Sequence, residues 1–122
     1  MNKKIMVVDD EPDILSYVVQ VLELNGYEVV KAINGKDCLD KLYKSSTSPD
    51  LILLDIMMPG LCGWDVVTKI KENAKWKNIP IVFLTAKSDA MSVGLGGLTA
   101  KDYIVKPFDA TDFINRINKI LK

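Results

Sequence analysis

Histidine is absent from this 122-residue chain, and cysteine occurs only twice, at Cys38 and Cys62. The absence of histidine excludes histidine-based catalysis. Because the two cysteines also form no CxxC pair, zinc chemistry is excluded as well. Charge of one sign is also missing, because 16 Lys and Arg balance 16 Asp and Glu. A neutral chain has no general attraction for nucleic acid or for an anionic membrane, and we expect it to bind neither directly.

Long hydrophobic runs are missing as well. The first residues, MNKKIMVVDD, hold only the run IMVV before the acids begin, which is too short for a signal peptide or an anchor. We therefore expect a cytoplasmic protein. A length of 122 residues with 48% hydrophobic and 26% charged residues predicts one globular domain, residues 1–122, with a single sizeable core.

Short apolar, β-branched runs alternate with segments whose apolar residues recur at helical spacing. The runs predict five strands, at residues 5–8, 27–30, 51–54, 81–84 and 103–105. Strands that are apolar on both faces and alternate with helices are typical of a parallel sheet covered by helices on each side. The predicted fold is therefore α/β and doubly wound.

Polar side chains follow four of these strands. Asp9 and Asp10 follow the first strand, Asp55 follows the third, Thr85 the fourth and Lys106 the fifth. Ligands of open parallel sheets bind outside the carboxyl ends of the strands. We therefore expect the five side chains to converge on one crevice.

The chemistry of such a crevice follows from its residue types. Three carboxylates held together repel one another, which favours a bound cation. Mg²⁺ needs only one or two carboxylates together with carbonyls, waters and phosphate oxygens, whereas Ca²⁺ wants more protein oxygens. Lys106 and Thr85 could neutralise and hydrogen-bond a phosphoryl group. One acid then remains as the nucleophile, and the central candidate is Asp55.

Taken together, these motifs resemble the receiver domain of two-component response regulators. They are Asp9-Asp10, Asp55 within DIMMPG, Thr85-Ala86, and Tyr103 with Lys106-Pro107-Phe108, in that order and spacing. The resemblance covers the whole chain and implies a flavodoxin-like (βα)5 fold with strand order 2-1-3-4-5. It also implies a phosphorylation-dependent signalling switch and not a conventional enzyme, since such a domain catalyses only its own phosphotransfer and autodephosphorylation.

The resemblance implies a role for each site residue. Asp55 would accept a phosphoryl group from a sensor histidine kinase or a phosphotransfer protein, and Lys106 would contact that group. Mg²⁺ would be held by Asp10, Asp55 and the backbone carbonyl of Met57, with Asp9 acting through water.

A conformational switch is implied too. Thr85 would move toward the phosphoryl group, and Tyr103 would turn inward to fill the space. The face formed by the fourth helix, fifth strand and fifth helix would then change its affinity for a downstream protein or a fused output domain. Glycines at 94, 96 and 97 predict that this fourth helix is short.

Two further positions bear on the lifetime of the phosphorylated state. Neither Met57 nor Lys87 supplies an acceptor for an attacking water, so we expect slow autodephosphorylation.

Two functions of other classes share parts of this pattern. A Mg²⁺-dependent phosphohydrolase would use the same carboxylates and lysine, but the chain has no DxD motif and no cap domain. A flavodoxin-like FMN module would need a phosphate-cradling loop where Asp9, Asp10 and Glu11 would repel phosphate. The sequence is compatible with a stand-alone regulator and with the receiver part of a longer protein.

Overall fold

The computed structural model describes residues 2–56, 60, 63–86, 102–106 and 108–121. Strands and helices alternate along them as the sequence pattern predicts. In chain order they are β1 (Lys4–Val8), α1 (Pro12–Leu24), β2 (Glu28–Ala32), α2 (Gly35–Lys44), β3 (Leu51–Asp55), α3 (Gly63–Glu72), β4 (Ile81–Ala86), β5 (Asp102–Lys106) and a C-terminal helix (Ala110–Leu121). The predicted fourth helix falls at residues 87–101, outside the described part.

The five strands form one parallel sheet in the order β2-β1-β3-β4-β5. This arrangement confirms the predicted α/β, flavodoxin-like fold and its strand order. The register pairs Asp55 with Leu84, and Ala86 with Lys106. The last residues of neighbouring strands therefore lie along one edge of the sheet.

Alternate strand residues point to opposite faces of the sheet and build two cores. One core lies under α2 and α3 and includes Met6, Ile52 and Phe83. The other lies under α1 and the C-terminal helix and includes Val7 and Leu53. The central strands β1 and β3 are buried on both faces, whereas β2 is a half-exposed edge strand. Within the described ranges, no helix is both long and apolar enough to cross a bilayer.

Local signals fix where the helices begin. Pro12 opens α1, where its missing N–H costs no hydrogen bond. The side chain of Asn34 accepts a hydrogen bond from the Asp37 amide at the start of α2 (2.8 Å), and Asp109 accepts one from the Asp112 amide at the C-terminal helix (3.1 Å). These helices start just after strands end, so their positive ends face the carboxyl edge of the sheet.

Candidate functional site

Two buried carboxylates and one lysine meet at the carboxyl edge of the sheet. Asp9 directly follows β1 and prolongs its pairing, because its amide donates to the Ala32 carbonyl (3.1 Å). Asp55 is the last residue of β3, and Lys106 is the last residue of β5. Asp9 is 0% and Asp55 5% exposed. The fold therefore holds two acidic groups at the boundary between core and solvent.

Lys106 links the acids at this edge. Its Nζ donates to Asp9 Oδ2 at 2.9 Å, and it lies 3.5 Å from Asp55 Oδ2 and 3.4 Å from Glu11 Oε1. The lysine side chain is only 12% exposed. Ion pairs that are shielded from water interact more strongly than surface pairs. A single ammonium thus holds three carboxylates in place.

The surroundings of Lys106 act on its pKa in two directions. Burial lowers the pKa, whereas the hydrogen bond to Asp9 and the charges of Asp55, Asp9 and Glu11 raise it. The net direction is upward, so the lysine remains protonated at neutral pH. An ammonium that is charged at neutral pH beside Asp55 suits a site that receives phosphoryl oxygens.

The acidic residues also fit a hard metal ion. Asp9, Asp10, Glu11 and Asp55 each offer a carboxylate oxygen, and these oxygens all lie within 4.8 Å of one another. Carboxylate oxygens are the ligands that Mg²⁺ prefers. In the described part of the chain this cluster holds four carboxylates, and three of them pair with the single ammonium of Lys106, so negative charge is in excess. The donor set therefore fits a hard divalent cation such as Mg²⁺.

The two oxygens of Asp9 already have partners. Oδ1 accepts a hydrogen bond from the Glu11 amide (3.0 Å), while Oδ2 binds Lys106. Asp10, by contrast, is exposed. The assignment of Asp10 and Asp55 as direct metal ligands, with Asp9 acting through water, stays a prediction.

Four predicted site residues therefore come together: Asp9, Asp10, Asp55 and Lys106. For Thr85 and Tyr103 the structure gives the strand register, which pairs them with Val105 and Phe83. Their side chains lie outside the described part, as do Met57 and Lys87. The roles predicted for these four residues stay predictions.

Glu11 was not among the predicted site residues, although its carboxylate reaches Lys106. The sequence contains a usable signal, because Glu11 continues the acidic pair and precedes the proline that opens α1. A residue at that point lies on the same edge as Asp9. Its side chain makes no hydrogen bond to the start of α1 and turns toward the site instead.

Helix α3 begins beside the site. The Gly63 amide donates to the Ile56 carbonyl at 2.7 Å, which ties the first residue of α3 to the end of β3. The next residue, Trp64, packs its ring edge-on against Phe83 of β4, with centroids 5.0 Å apart. This contact fixes the first turn of α3 against the sheet.

The cysteine that the structure describes lies away from the site. Cys38 is fully buried, and burial, aided by the charge of Asp37, raises the pKa of its thiol to about 12. A thiol that stays protonated is a poor nucleophile. Cys38 is therefore a core residue, while Cys62 lies outside the described residues.

Comparison with known proteins identifies the family to which this chain belongs. The family model for the response regulator receiver domain matches residues 5–118. The chain belongs to the response regulator receiver family. As a receiver domain of two-component systems it is a signalling module, not an enzyme of the classical kind. The family resemblance drawn from the motifs is confirmed.

Relatives of this receiver domain include a regulator of Bacillus subtilis. The alkaline phosphatase synthesis transcriptional regulatory protein PhoP is 40% identical over 123 residues, which cover 100% of this chain and 50% of that protein. This chain thus spans about half the length of that curated relative.

Solved structures agree with the fold. A response regulator receiver domain protein from Clostridium thermocellum matches with a TM-score of 0.87 and 31% identity, covering 98% of this chain and 94% of that one. The chemotaxis protein CheY4 of Vibrio cholerae matches with a TM-score of 0.88 and 28% identity, covering 98% and 99%.

Proposed function

We propose that residues 1–122 form one receiver domain that accepts a phosphoryl group on Asp55 and changes its partner binding in response. The observation that carries this proposal is the position of Asp55. Its carboxylate ends the central strand β3, is 5% exposed, and lies 3.5 Å from the ammonium of Lys106. A nucleophile beside a fixed positive charge is suited to attack a phosphorus atom.

The proposed phosphoryl transfer is a displacement at phosphorus. A carboxylate oxygen of Asp55 forms a bond to phosphorus, the P–N bond of a phosphohistidine breaks, and its electron pair stays on the imidazole. Lys106 neutralises phosphoryl oxygens during the transfer. Asp10, Asp55 and the backbone carbonyl of Met57 would hold Mg²⁺, with Asp9 acting through water, and the ion would supply further charge neutralisation.

Membership of the receiver family suggests the partners of this reaction. We propose a sensor histidine kinase or a phosphotransfer protein in the cytoplasm as the donor. Thr85 and Tyr103 would relay the phosphorylated state to the face that includes β5 and the C-terminal helix, which would bind a downstream protein or an output domain. Loss of the phosphoryl group would be slow, because neither Met57 nor Lys87 activates water.

Intact-mass measurement after incubation with acetyl phosphate and Mg²⁺ tests the proposal. The wild type is expected to gain one phosphoryl group, and Asp55→Asn none. Asp50→Asn makes the same chemical change five positions earlier in sequence and is expected to behave as the wild type. Chelation of Mg²⁺ should prevent the gain. A folded wild-type protein that neither acetyl phosphate nor a histidine kinase modifies would contradict the proposal.

A further inference from the structure

Gly63 packs directly against the backbone that carries Asp55. It is buried at the first position of α3, and its amide donates to the Ile56 carbonyl at 2.7 Å. The first residue of α3 is therefore hydrogen-bonded to the residue that follows Asp55.

No side chain fits at this position. A Cβ on residue 63 would lie 2.7 Å from Ile56 Cα and 2.9 Å from the carbonyl oxygen of Asp55, whereas ordinary van der Waals contact begins at 3.4 Å. Both obstacles are backbone atoms, which cannot rotate away as a side chain can. Any larger residue must displace α3, the end of β3, or both.

The other glycines described at turns differ from Gly63 in their physical reason. Gly26 and Gly60 have φ angles of +87° and +79°, and nothing lies within 4 Å of a Cβ placed on either of them. At these two positions glycine is favoured because the turn requires a positive φ angle. Gly63 instead allows α3 to approach the end of β3 closely, because no space is available at this position for a side chain.

We propose that Gly63 is a positioning residue for phosphoryl transfer, because the absence of a side chain at 63 sets where Asp55 lies relative to Lys106 and Asp9. This inference rests on the proposed role of Asp55 as acceptor. Reacting groups must be held to within about 0.5 Å, and an error of about 1 Å can cost on the order of a hundredfold in rate. Relief of the contacts requires a displacement of roughly this size.

The direction of the stability change separates this proposal from a simple helix effect. Alanine favours a helix more than glycine does. If the space beside Ile56 were open, Gly63→Ala would stabilise the protein and leave the site unchanged. The contacts with Asp55 and Ile56 predict the opposite.

The test compares Gly63→Ala with two controls. Val67→Ala removes a buried side chain one turn later in α3 and destabilises the protein without adding a contact near Asp55. Gly26→Ala replaces a glycine far from the site. With acetyl phosphate and Mg²⁺, we expect phosphorylation of Gly63→Ala to be at least about tenfold slower than wild type, and both controls to stay within about twofold.

Backbone amide NMR shifts without Mg²⁺ provide a second measurement that needs no reaction. For Gly63→Ala, shifts outside residues 62–64 are expected to be largest at Asp55, Ile56 and Lys106, whereas for Val67→Ala they should centre on α3. If the wild type is not phosphorylated, the proposed function fails. The chemical shifts alone then decide whether Gly63 sets the position of Asp55.

Two results would overturn the inference. One is a phosphorylation rate for Gly63→Ala no lower than that of Val67→Ala, and the other is an unchanged amide environment at Asp55 and Ile56. If Gly63→Ala folds only in a stabilising osmolyte, all variants are compared in it. Failure to fold even there would assign Gly63 to the fold and not to the site, and would likewise overturn the proposal.

Discussion

Strand β3 has an aspartate at each end, and the two have opposite environments. Asp50, just before the strand, is exposed, and its Oδ2 accepts a hydrogen bond from the Lys4 amide at 2.8 Å. Asp55, at the other end, is almost wholly buried beside Lys106 and Asp9. The residue type is the same, but one joins two strands while the other belongs to a charged cluster.

The lysines of the two edges differ in the same way. Lys4 Nζ bonds to the hydroxyl and carbonyl of Thr47 at the exposed edge. Lys106 is 12% exposed and has three carboxylates within 3.5 Å. Burial and convergence on one point, and not residue type, therefore distinguish the candidate reactive edge from the structural one.

The largest stability effect is expected for Lys106→Met. Loss of the ammonium leaves the carboxylate of Asp9, which is fully buried, without its cation, and breaking such a buried pair costs about 3 kcal/mol. Urea unfolding without Mg²⁺ measures this cost. The matched change Lys4→Met removes only the two exposed hydrogen bonds to Thr47, with a cost below about 1 kcal/mol. Equal losses at the two lysines would contradict the contrast between the edges.

The stability difference between wild type and Lys106→Met is also expected to depend on pH. The pKa of Lys106 is raised above its ordinary value of 10.5, so its contribution to stability is fully present below pH 10.5 and is lost as pH rises through the folded pKa. The gap in unfolding free energy between wild type and Lys106→Met should be constant from pH 7 to about pH 10 and then shrink. A gap already lost at pH 9 would refute the raised pKa.

A smaller effect is expected at the opposite edge. Asp50→Ala removes the acceptor for the Lys4 amide and should lower the free energy of unfolding by about 1 kcal/mol. The phosphorylation rate should not change, because the strand separates this edge from Asp55. A slower rate in this variant, at equal folded fraction, would show that the two ends of β3 are coupled.

Much of this arrangement is predictable from the sequence because parallel strands end on one edge. Once the strands ending near Val8, Leu54 and Val105 are recognised, the convergence of Asp9, Asp55 and Lys106 follows from topology alone. The edge strand β2 was predicted less well, at residues 27–30, and extends to Ala32 because its last two residues pair with Val7 and Val8.

Individual contacts could not be predicted in this way. Asp9 and Lys106 are 97 residues apart in sequence, and spacing does not reveal which of the neighbouring acids the lysine binds. The space around Gly63 is likewise invisible in the sequence, since it depends on the distance between α3 and the end of β3. Both are consequences of tertiary packing, which pattern analysis does not describe.

The ring contact between Trp64 and Phe83 has an optical consequence. Of the two tryptophans, Trp76 is 2% exposed in the core beneath α2 and α3, whereas Trp64 follows the glycine that abuts Asp55. The emission of Trp64 is therefore expected to respond to events at the carboxyl edge, while that of Trp76 serves as a steady background. Trp64 would then act as an intrinsic fluorescent reporter, so that the proposed ion binding and phosphoryl transfer would be followed in real time without an attached dye.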